Sequence, residues 1–312
     1  MRSAGLSLWL LGVFVGCWLV VQTGCRTAPR HSAPTPALEV SNSNYLAFKT
    51  NDSMAALFRY QPGCPPLVSA HRGGPLPGYP ENCLETFANT LTLGPALLEV
   101  DVRQTQDGFF VLMHDARLER TTTGTGYVAE RPLAYLKRLK LKDNRGEVTP
   151  YQVPTLDEAM AWAKGKTVLL LDIKRDVDAE KLLSHIVSLD AQRYVHIIPN
   201  DYEVAEWLHR HDPDLWLSVN ARSLDEWARL KTYPGIDLKR VVAWVGTQPP
   251  ALALVDTLHA RGIRVDVGTL GNLDKLAATQ GPTVYARLRA QGADILAADS
   301  VVAVQRFLQG SR

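Results

Sequence analysis

Short apolar runs alternate with stretches of helical periodicity along the chain from about residue 65 onward. Most of the runs are continuous, which is typical of parallel strands that are buried on both faces. Nine segments are strand candidates: 67–70, 97–102, 109–113, 168–173, 194–198, 215–219, 241–245, 263–267 and 294–297. Strands that alternate with helices over about 250 residues predict an α/β fold, either a TIM (β/α)8 barrel or a doubly wound sheet.

Helices are predicted between many of these strands. In 155–163, the apolar positions 156, 159, 160 and 163 share one face, and Thr155 as N-cap is followed three residues later by Glu158. The other helix candidates are 179–189, 202–210, 224–230, 251–260, 284–290 and 301–308. No Gly-x-Gly-x-x-Gly follows an early strand, which weakens a dinucleotide-binding interpretation.

Two features depart from a regular barrel. Nine strand candidates are one too many, and 241–245 or 263–267 is the expected surplus. Asp101 and Phe109 are too close in sequence for a crossover helix. The two strands there either form a hairpin or are joined by residues 103–108 running back in extended form, with Asp107-Gly108 at the turn in both cases.

The first 25 residues have the pattern of an export signal. Arg2 precedes an uncharged run whose apolar core of 16 residues is short for a membrane span, which needs about 20. The run ends in Gln22-Thr23-Gly24-Cys25, which resembles a bacterial lipoprotein box, although Gln22 replaces the usual aliphatic residue. Residues 1–24 are therefore predicted to be a signal peptide and Cys25 to be lipidated. An uncleaved anchor and a plain signal cut elsewhere are the alternatives.

A tether is predicted for residues 25–50, because this segment holds several prolines and polar residues and little periodicity. Acyl chains on Cys25 would hold it to a bilayer. The expected location is therefore outside the cytoplasm, on the periplasmic or extracellular face of a bacterial membrane. The barrel is assigned to residues 51–312.

Charge and cysteine content add two limits. The formal net charge of the 312 residues is +2, and removal of residues 1–24 with Arg2 leaves 33 basic and 32 acidic residues, or +1. A nucleic-acid partner is not expected, because the basic footprint of such proteins is missing. Cys64 and Cys83 remain in the predicted barrel segment, where they either pair in an oxidising compartment or stay free and buried.

Polar residues gather where the first four strand candidates end: His71-Arg72, Glu99 with Asp101, His114-Asp115, and Asp172 with Lys174. In a TIM barrel such strand ends meet at one mouth and carry the active site. Glu99 and Asp101 share a strand face, and a hard cation such as Ca²⁺ or Mg²⁺ would relieve their repulsion. Beside two imidazoles, that ion suggests phosphoryl chemistry. Each feature alone has an ordinary interpretation, such as a turn histidine or a solvated strand face.

The spaced motifs together resemble the glycerophosphodiester phosphodiesterase family over about residues 66–310. The matching segments are His71-Arg72-Gly73-Gly74, Pro80-Glu81-Asn82, Glu99-Val100-Asp101-Val102, Thr105-Gln106-Asp107-Gly108, His114-Asp115, Arg120-Thr121-Thr122 with Gly124 and Gly126, Val153-Pro154-Thr155-Leu156-Asp157-Glu158, Leu171-Asp172-Ile173-Lys174, and Gly292-Ala293-Asp294 through to Asp299. The first half of the match is highly specific and the last third is loose.

The resemblance implies a TIM barrel of the PLC-like phosphodiesterase type and a glycerophosphodiester as the small-molecule substrate. It implies metal-dependent hydrolysis to glycerol 3-phosphate and an alcohol, through a cyclic phosphate formed by the neighbouring glycerol hydroxyl. The implied roles are acid and base for His71 and His114, ligands of one divalent cation for Glu99, Asp101 and Asp172, and phosphate binding for Arg72 and Lys174. Glu81 is expected to orient Arg72.

Three departures from the family pattern stand out. Asp172 replaces the usual glutamate ligand, and Cys83 replaces a threonine. A late Trp-Thr-Val-Asn segment appears here as Asp266-Val267-Gly268-Thr269, without the aromatic residue that helps to shape the alcohol pocket. Asp266 has no explanation in the pattern, and exposure at the surface is its ordinary interpretation.

Two other functions remain open at this point. A phospholipase-type phosphodiesterase acting on lysolipids fits the predicted anchor. A lipoprotein that binds phosphodiesters without turnover would keep the barrel and lose the reaction.

Overall fold

Eight parallel strands close into a barrel in the computed structural model, which describes residues 44–46 and 51–310. The predicted signal peptide, the predicted lipidation site Cys25 and nearly all of the predicted tether lie outside these residues. Among the described helices, none has the length and apolar character that a bilayer crossing requires.

The sheet contains nine strands: β1 Leu67–Ala70, β2 Leu97–Gln104, β3 Phe110–Leu112, β4 Leu169–Ile173, β5 Val195–Ile198, β6 Trp216–Asn220, β7 Val241–Trp244, β8 Val265–Gly268 and β9 Ile295–Ala298. Their order is β1-β9-β8-β7-β6-β5-β4-β2-β3, and a further parallel pairing of β1 with β2 closes the barrel. The predicted TIM barrel is confirmed, and the doubly wound alternative is excluded because that sheet stays open.

The surplus strand is β3, not one of the two late strands. β3 runs antiparallel to β2, with Val102 opposite Leu112 and Gln104 opposite Phe110. The prediction that 241–245 or 263–267 lies outside the barrel is wrong, because β7 and β8 both pair with parallel neighbours on each side. Residues 97–112 form a hairpin that turns at Asp107-Gly108, so the extended return is excluded.

The helices are α1 Asn51–Phe58, α2 Leu84–Leu93, α3 Leu133–Leu136, α4 Leu156–Ala163, α5 Ala179–Ser188, α6 Tyr202–His211, α7 Leu224–Leu230, α8 Leu252–His259, α9 Asn272–Gln280, α10 Thr283–Ala290 and α11 Val301–Gly310. The predicted capping box is present at α4, where Thr155 accepts from the Glu158 amide and the Glu158 carboxylate accepts from the Thr155 amide. Three threonines in α2 obscure its helical pattern, because β-branched residues lower helix propensity.

The barrel interior is apolar at one end and polar at the other. Inward side chains near the starts of the strands form an apolar layer, the floor of the barrel: Leu67, Leu97, Val168, Trp216, Val242 and Ile295. Met54 and Phe58 of α1 pack against this floor from below. Inward side chains near the strand ends are mainly polar, so the chemistry is confined to the C-terminal mouth.

Both cysteines of the barrel segment are free thiols. Cys83 is buried, and Cys64 is partly exposed. The structure therefore favours the unpaired alternative, with only one of the two thiols fully buried.

Candidate active site

Three carboxylates meet inside the mouth of the barrel. Glu99 and Asp101 project from β2, and Asp172 projects from β4, where it lies opposite Asp101 in the parallel register. One oxygen from each lies within 4.8 Å of the others. Glu99 is 8% exposed and Asp101 is 1% exposed. The predicted clustering of these acids is thus observed.

The negative charges of these three carboxylates repel one another, and a nearby positive charge stabilises them. Burial and the repulsion of Asp101 raise the pKa of Glu99 to about 8. The Lys174 ammonium lies 2.6 Å from Asp101 Oδ1 and 2.5 Å from Asp172 Oδ2. Burial opposes the ionised form of Asp101, but Lys174 outweighs it and lowers the pKa, assisted by Asn82 and His114.

A divalent cation fits these residues. The donors are carboxylate oxygens only, as hard cations prefer, and Lys174 shows that a cationic group is stable among them. Lys174 is predicted to bind phosphate; in the structure its ammonium contacts the carboxylates, and phosphate binding stays a prediction.

Asn82 holds the cluster in place, a role that reasoning from the residues alone missed. Its side-chain amide donates to Asp101 Oδ2 at 2.7 Å, and its carbonyl accepts from the Asp101 amide at 2.9 Å. The backbone N–H of Arg72 donates to Glu99 Oε2 at 2.6 Å. The only sequence signal for this role was the position of Asn82 in a family motif.

The turn after β1 explains the His-Arg-Gly-Gly run. Arg72 and Gly73 both have left-handed backbone conformations, with φ of 52° and 81°. A side chain at Gly73 would overlap the Phe87 ring, so glycine permits both the conformation and the close packing of α2. The turn thereby directs the Arg72 amide at Glu99.

His71 is paired with a carboxylate from the end of β9. Its Nδ1 lies 2.7 Å from Asp299 Oδ1. Burial disfavours the charged imidazole, but the bond to Asp299 and the charge of Glu99 outweigh it and raise the His71 pKa. Asp299 is itself held, because its Oδ2 accepts from the Gly271 amide and its own amide donates to Asp274. Reasoning from the residues did not identify Asp299 as this partner.

His114 has a matching partner. Its Nδ1 lies 2.7 Å from Asp115 Oδ1, and the Arg120 guanidinium binds both oxygens of Asp115. Glu81 joins the two sides, since it accepts from Arg120 and from Arg72. The predicted contact between Glu81 and Arg72 is observed. Each imidazole is thus held through its Nδ1, which directs its Nε2 away from the carboxylate partner.

A cavity of about 230 Å³ opens beside the carboxylates. His71, Glu99 and Asp172 line one side of it, and residues of β6, β7 and β8 line the other: Ser218, Asn220, Trp244 and Asp266. His114 is not among the lining residues.

The second side of the cavity corrects one expectation. Asp266 is 4% exposed and faces the barrel interior, so the expected surface exposure is wrong. Residues 266–269 on β8 lack the aromatic residue of the family pattern. The Trp244 indole, from the neighbouring strand β7, fills the space where a side chain at Gly268 would stand.

Comparisons with known proteins agree with this geometry. Residues 71–198 match the profile of the glycerophosphoryl diester phosphodiesterase family. A solved glycerophosphoryl diester phosphodiesterase from Parabacteroides distasonis is 35% identical, with a TM-score of 0.81, over 86% of this chain and 94% of that one. The chain belongs to the glycerophosphoryl diester phosphodiesterase family.

Curated relatives match over shorter segments. A glycerophosphodiester phosphodiesterase from Caldanaerobacter subterraneus is 35% identical over 113 residues, which is 36% of this chain and 46% of that protein. Glycerophosphodiester phosphodiesterase 1 from Mus musculus is 30% identical over 155 residues, 48% of this chain and 46% of its own length. The matched region thus spans about half the length of these relatives.

Proposed function

We propose that this protein hydrolyses glycerophosphodiesters to glycerol 3-phosphate and an alcohol. The observation that carries the proposal is the set of two histidine–aspartate pairs beside three carboxylates at one mouth of the barrel. Family membership supports the same reaction.

Arg72 and Lys174 would bind the phosphate. Arg72 Nε has no hydrogen-bond partner in the part of the chain that the structure describes, and it lies 3.9 Å from Asp101 Oδ2. A guanidinium suits two phosphate oxygens at once. Lys174 would move from the carboxylates to the phosphate once another cation compensates them.

Glu99, Asp101 and Asp172 would hold the divalent cation, Ca²⁺ or Mg²⁺. Such an ion would neutralise negative charge on the phosphate oxygens, including the charge that builds up on them during the reaction. The two imidazoles would carry out the proton transfers.

His71 is the better candidate for the base, because it lines the cavity and its partner Asp299 raises its pKa. It would take the proton from the glycerol hydroxyl next to the phosphate as that oxygen bonds to phosphorus. His114, the more exposed of the two at 36% against 24%, would give a proton to the departing alcohol as its bond to phosphorus breaks.

The second step reverses these roles. His114 would take a proton from water while the water oxygen bonds to phosphorus. His71 would return its proton to the glycerol oxygen as the cyclic phosphate opens. Each histidine ends in its starting state, and the products are glycerol 3-phosphate and the alcohol.

Release of glycerol 3-phosphate from glycerophosphocholine, measured with and without EDTA, tests the proposal. We expect release that EDTA abolishes and that added Ca²⁺ or Mg²⁺ restores. Turnover only of long-chain lysolipids would favour a phospholipase-type activity. No turnover of any diester with Ca²⁺, Mg²⁺ or Mn²⁺ would favour a binding lipoprotein.

The proposed location is the periplasmic or extracellular face of a bacterial membrane, through a lipid on Cys25. The support is the sequence of the leader and tether. Mass spectrometry of the mature N-terminus should find acylated Cys25, and Cys25→Ser should release the protein from membranes. An unmodified Cys25 in a membrane-bound protein would contradict the lipidation.

A further inference from the structure

One buried acid in the cavity has an oxygen that no described residue hydrogen-bonds. Asp266 is 4% exposed, and its Oδ1 is buried without a hydrogen bond to any residue of 44–46 or 51–310. Burial alone raises its pKa to about 8. An uncompensated buried carboxyl group costs folding free energy, so its presence calls for an explanation.

The side chain faces the cavity and not the outer core. Its neighbours in sequence, Val265 and Val267, pack into the large apolar core outside the barrel. Because side chains alternate along a strand, Asp266 and Gly268 face inward, and Asp266 lines the same cavity as His71 and Glu99. An unpaired polar group therefore lies in the wall opposite the proposed base.

The rest of that wall suits a neutral ligand with hydroxyl groups. Ser218 and Asn220 are uncharged, the Ser218 hydroxyl lies 3.0 Å from His196 Nε2, and Trp244 offers an apolar surface. A cationic ligand group fits less well, because the cavity also borders Glu99 and Asp172, where a divalent cation is proposed, and like charges repel. A neutral carboxyl group both donates and accepts hydrogen bonds, as a hydroxyl does.

We propose that Asp266 determines substrate specificity by hydrogen-bonding to the terminal hydroxyl of the glycerol moiety held in this cavity. The inference rests on the proposed hydrolysis, in which the other hydroxyl faces His71. The ligand supplies the partner that the folded protein lacks at Asp266.

The test measures kcat/KM for the unaltered protein and for an Asp266 variant on two substrates that differ in one hydroxyl group. Glycerophosphocholine is compared with its analogue built on propane-1,2-diol, which keeps the attacking hydroxyl and lacks the terminal one. For the unaltered protein we expect kcat/KM to be about ten- to a hundredfold lower on the analogue, because the analogue leaves Asp266 unpaired. Asp266→Ala should lower kcat/KM on glycerophosphocholine to a similar level and change it little on the analogue.

Two further variants separate specificity from folding. Asp266→Asn keeps hydrogen-bonding capacity and should keep most of the preference. Asp294, an equally buried acid, is paired with His259 and the Val265 amide. Asp294→Asn should lower the melting temperature and leave the preference intact, whereas Asp266→Asn should raise the melting temperature.

The outcomes are distinct. Equal rates on both diesters, or an Asp266→Ala defect of the same size on both, would overturn the role of Asp266 and leave the hydrolysis standing. Turnover of neither diester by the unaltered protein would overturn the proposed function, and the inference with it.

Discussion

The two halves of the barrel carry different tasks. Strands β1 to β4 and their loops supply all three carboxylates, both histidines and the two phosphate-binding candidates, and this half contains most of the family match at 71–198. Strands β6 to β8 supply the opposite wall of the cavity, with Ser218, Trp244 and Asp266. That wall lies beyond the matched segment.

The two halves differ in how strictly their side chains must be positioned. Residues that move protons or hold a cation must meet tight geometric limits, and here they hold one another through Asn82 and Glu81. The opposite wall has only to fit the alcohol part of a substrate. On the proposed function, its departures from the family pattern should affect which diester is accepted more than how the diester is cleaved.

The largest effect is expected at the two histidines. His71→Ala or His114→Ala should lower kcat by about 10²–10⁴ if each moves a proton, with unchanged folding by circular dichroism. His211→Gln is the matched control, because His211 is exposed on α6 and its described contacts are to the Trp207 carbonyl and ring. A full rate in either alanine variant would refute the acid and base assignment.

Asp299→Asn should cost less, about a hundredfold at most, because it misplaces His71 without removing it. Asp299 raises the His71 pKa, so its loss lowers that pKa. Since a base acts when deprotonated, the acidic limb of the kcat profile should move to lower pH. An unshifted profile would show that Asp299 has a structural role only.

The third prediction concerns the cation. Asp172→Ala should weaken Ca²⁺ or Mg²⁺ binding on the order of tenfold or more, because a charged ligand is lost, whereas Asp172→Glu should keep or improve affinity. Isothermal titration calorimetry measures both without reference to turnover. Unchanged affinity in Asp172→Ala would mean that Asp172 is not a ligand, and complete loss of binding in Asp172→Glu would mean that the site does not accommodate the longer side chain.

A smaller effect is expected at the opposite wall. Gly268→Ala forces the Trp244 indole to move, which changes the shape of the cavity. We expect KM to rise roughly five- to thirtyfold, which corresponds to about 1–2 kcal/mol of binding free energy. The kcat at saturation should change little. A reduced kcat with unchanged KM would mean that this wall takes part in the chemistry, which would erase the contrast between the two halves.

The last prediction concerns stability against pH. The folded-state pKa of Asp266 is about 8 and its unfolded value is near 3.9, so the native protein retains a proton that the unfolded chain loses. The contribution of Asp266 to stability should therefore fall as pH rises between about 4 and 8. Asp266→Asn should flatten this part of the melting-temperature profile. Identical slopes for the two proteins would contradict the burial of an unpaired acid.

Much of this arrangement was predictable from the sequence. Continuous apolar strands alternating with helices predicted an α/β fold, the family resemblance implied the barrel, and strand-end polar residues predicted the carboxylate cluster. The surplus strand was misassigned because β3 has the same apolar pattern as its parallel neighbours, and only pairing direction separates them. The contact of Asp299 with His71 could not be predicted, because the two residues are far apart in sequence. The inward position of Asp266 could not be predicted, because its Oδ1 has no described partner. Neighbours of that kind are set by barrel closure, not by spacing along the chain.

The central claim is that the acids of the first half hold a cation at the mouth shared by both histidines. Crystals soaked in Mn²⁺ and measured at the manganese absorption edge test it most directly. The account predicts one strong anomalous peak within bonding distance of Glu99, Asp101 and Asp172, with Lys174 displaced from them. A saturating soak that leaves Lys174 in place and puts manganese elsewhere would contradict it.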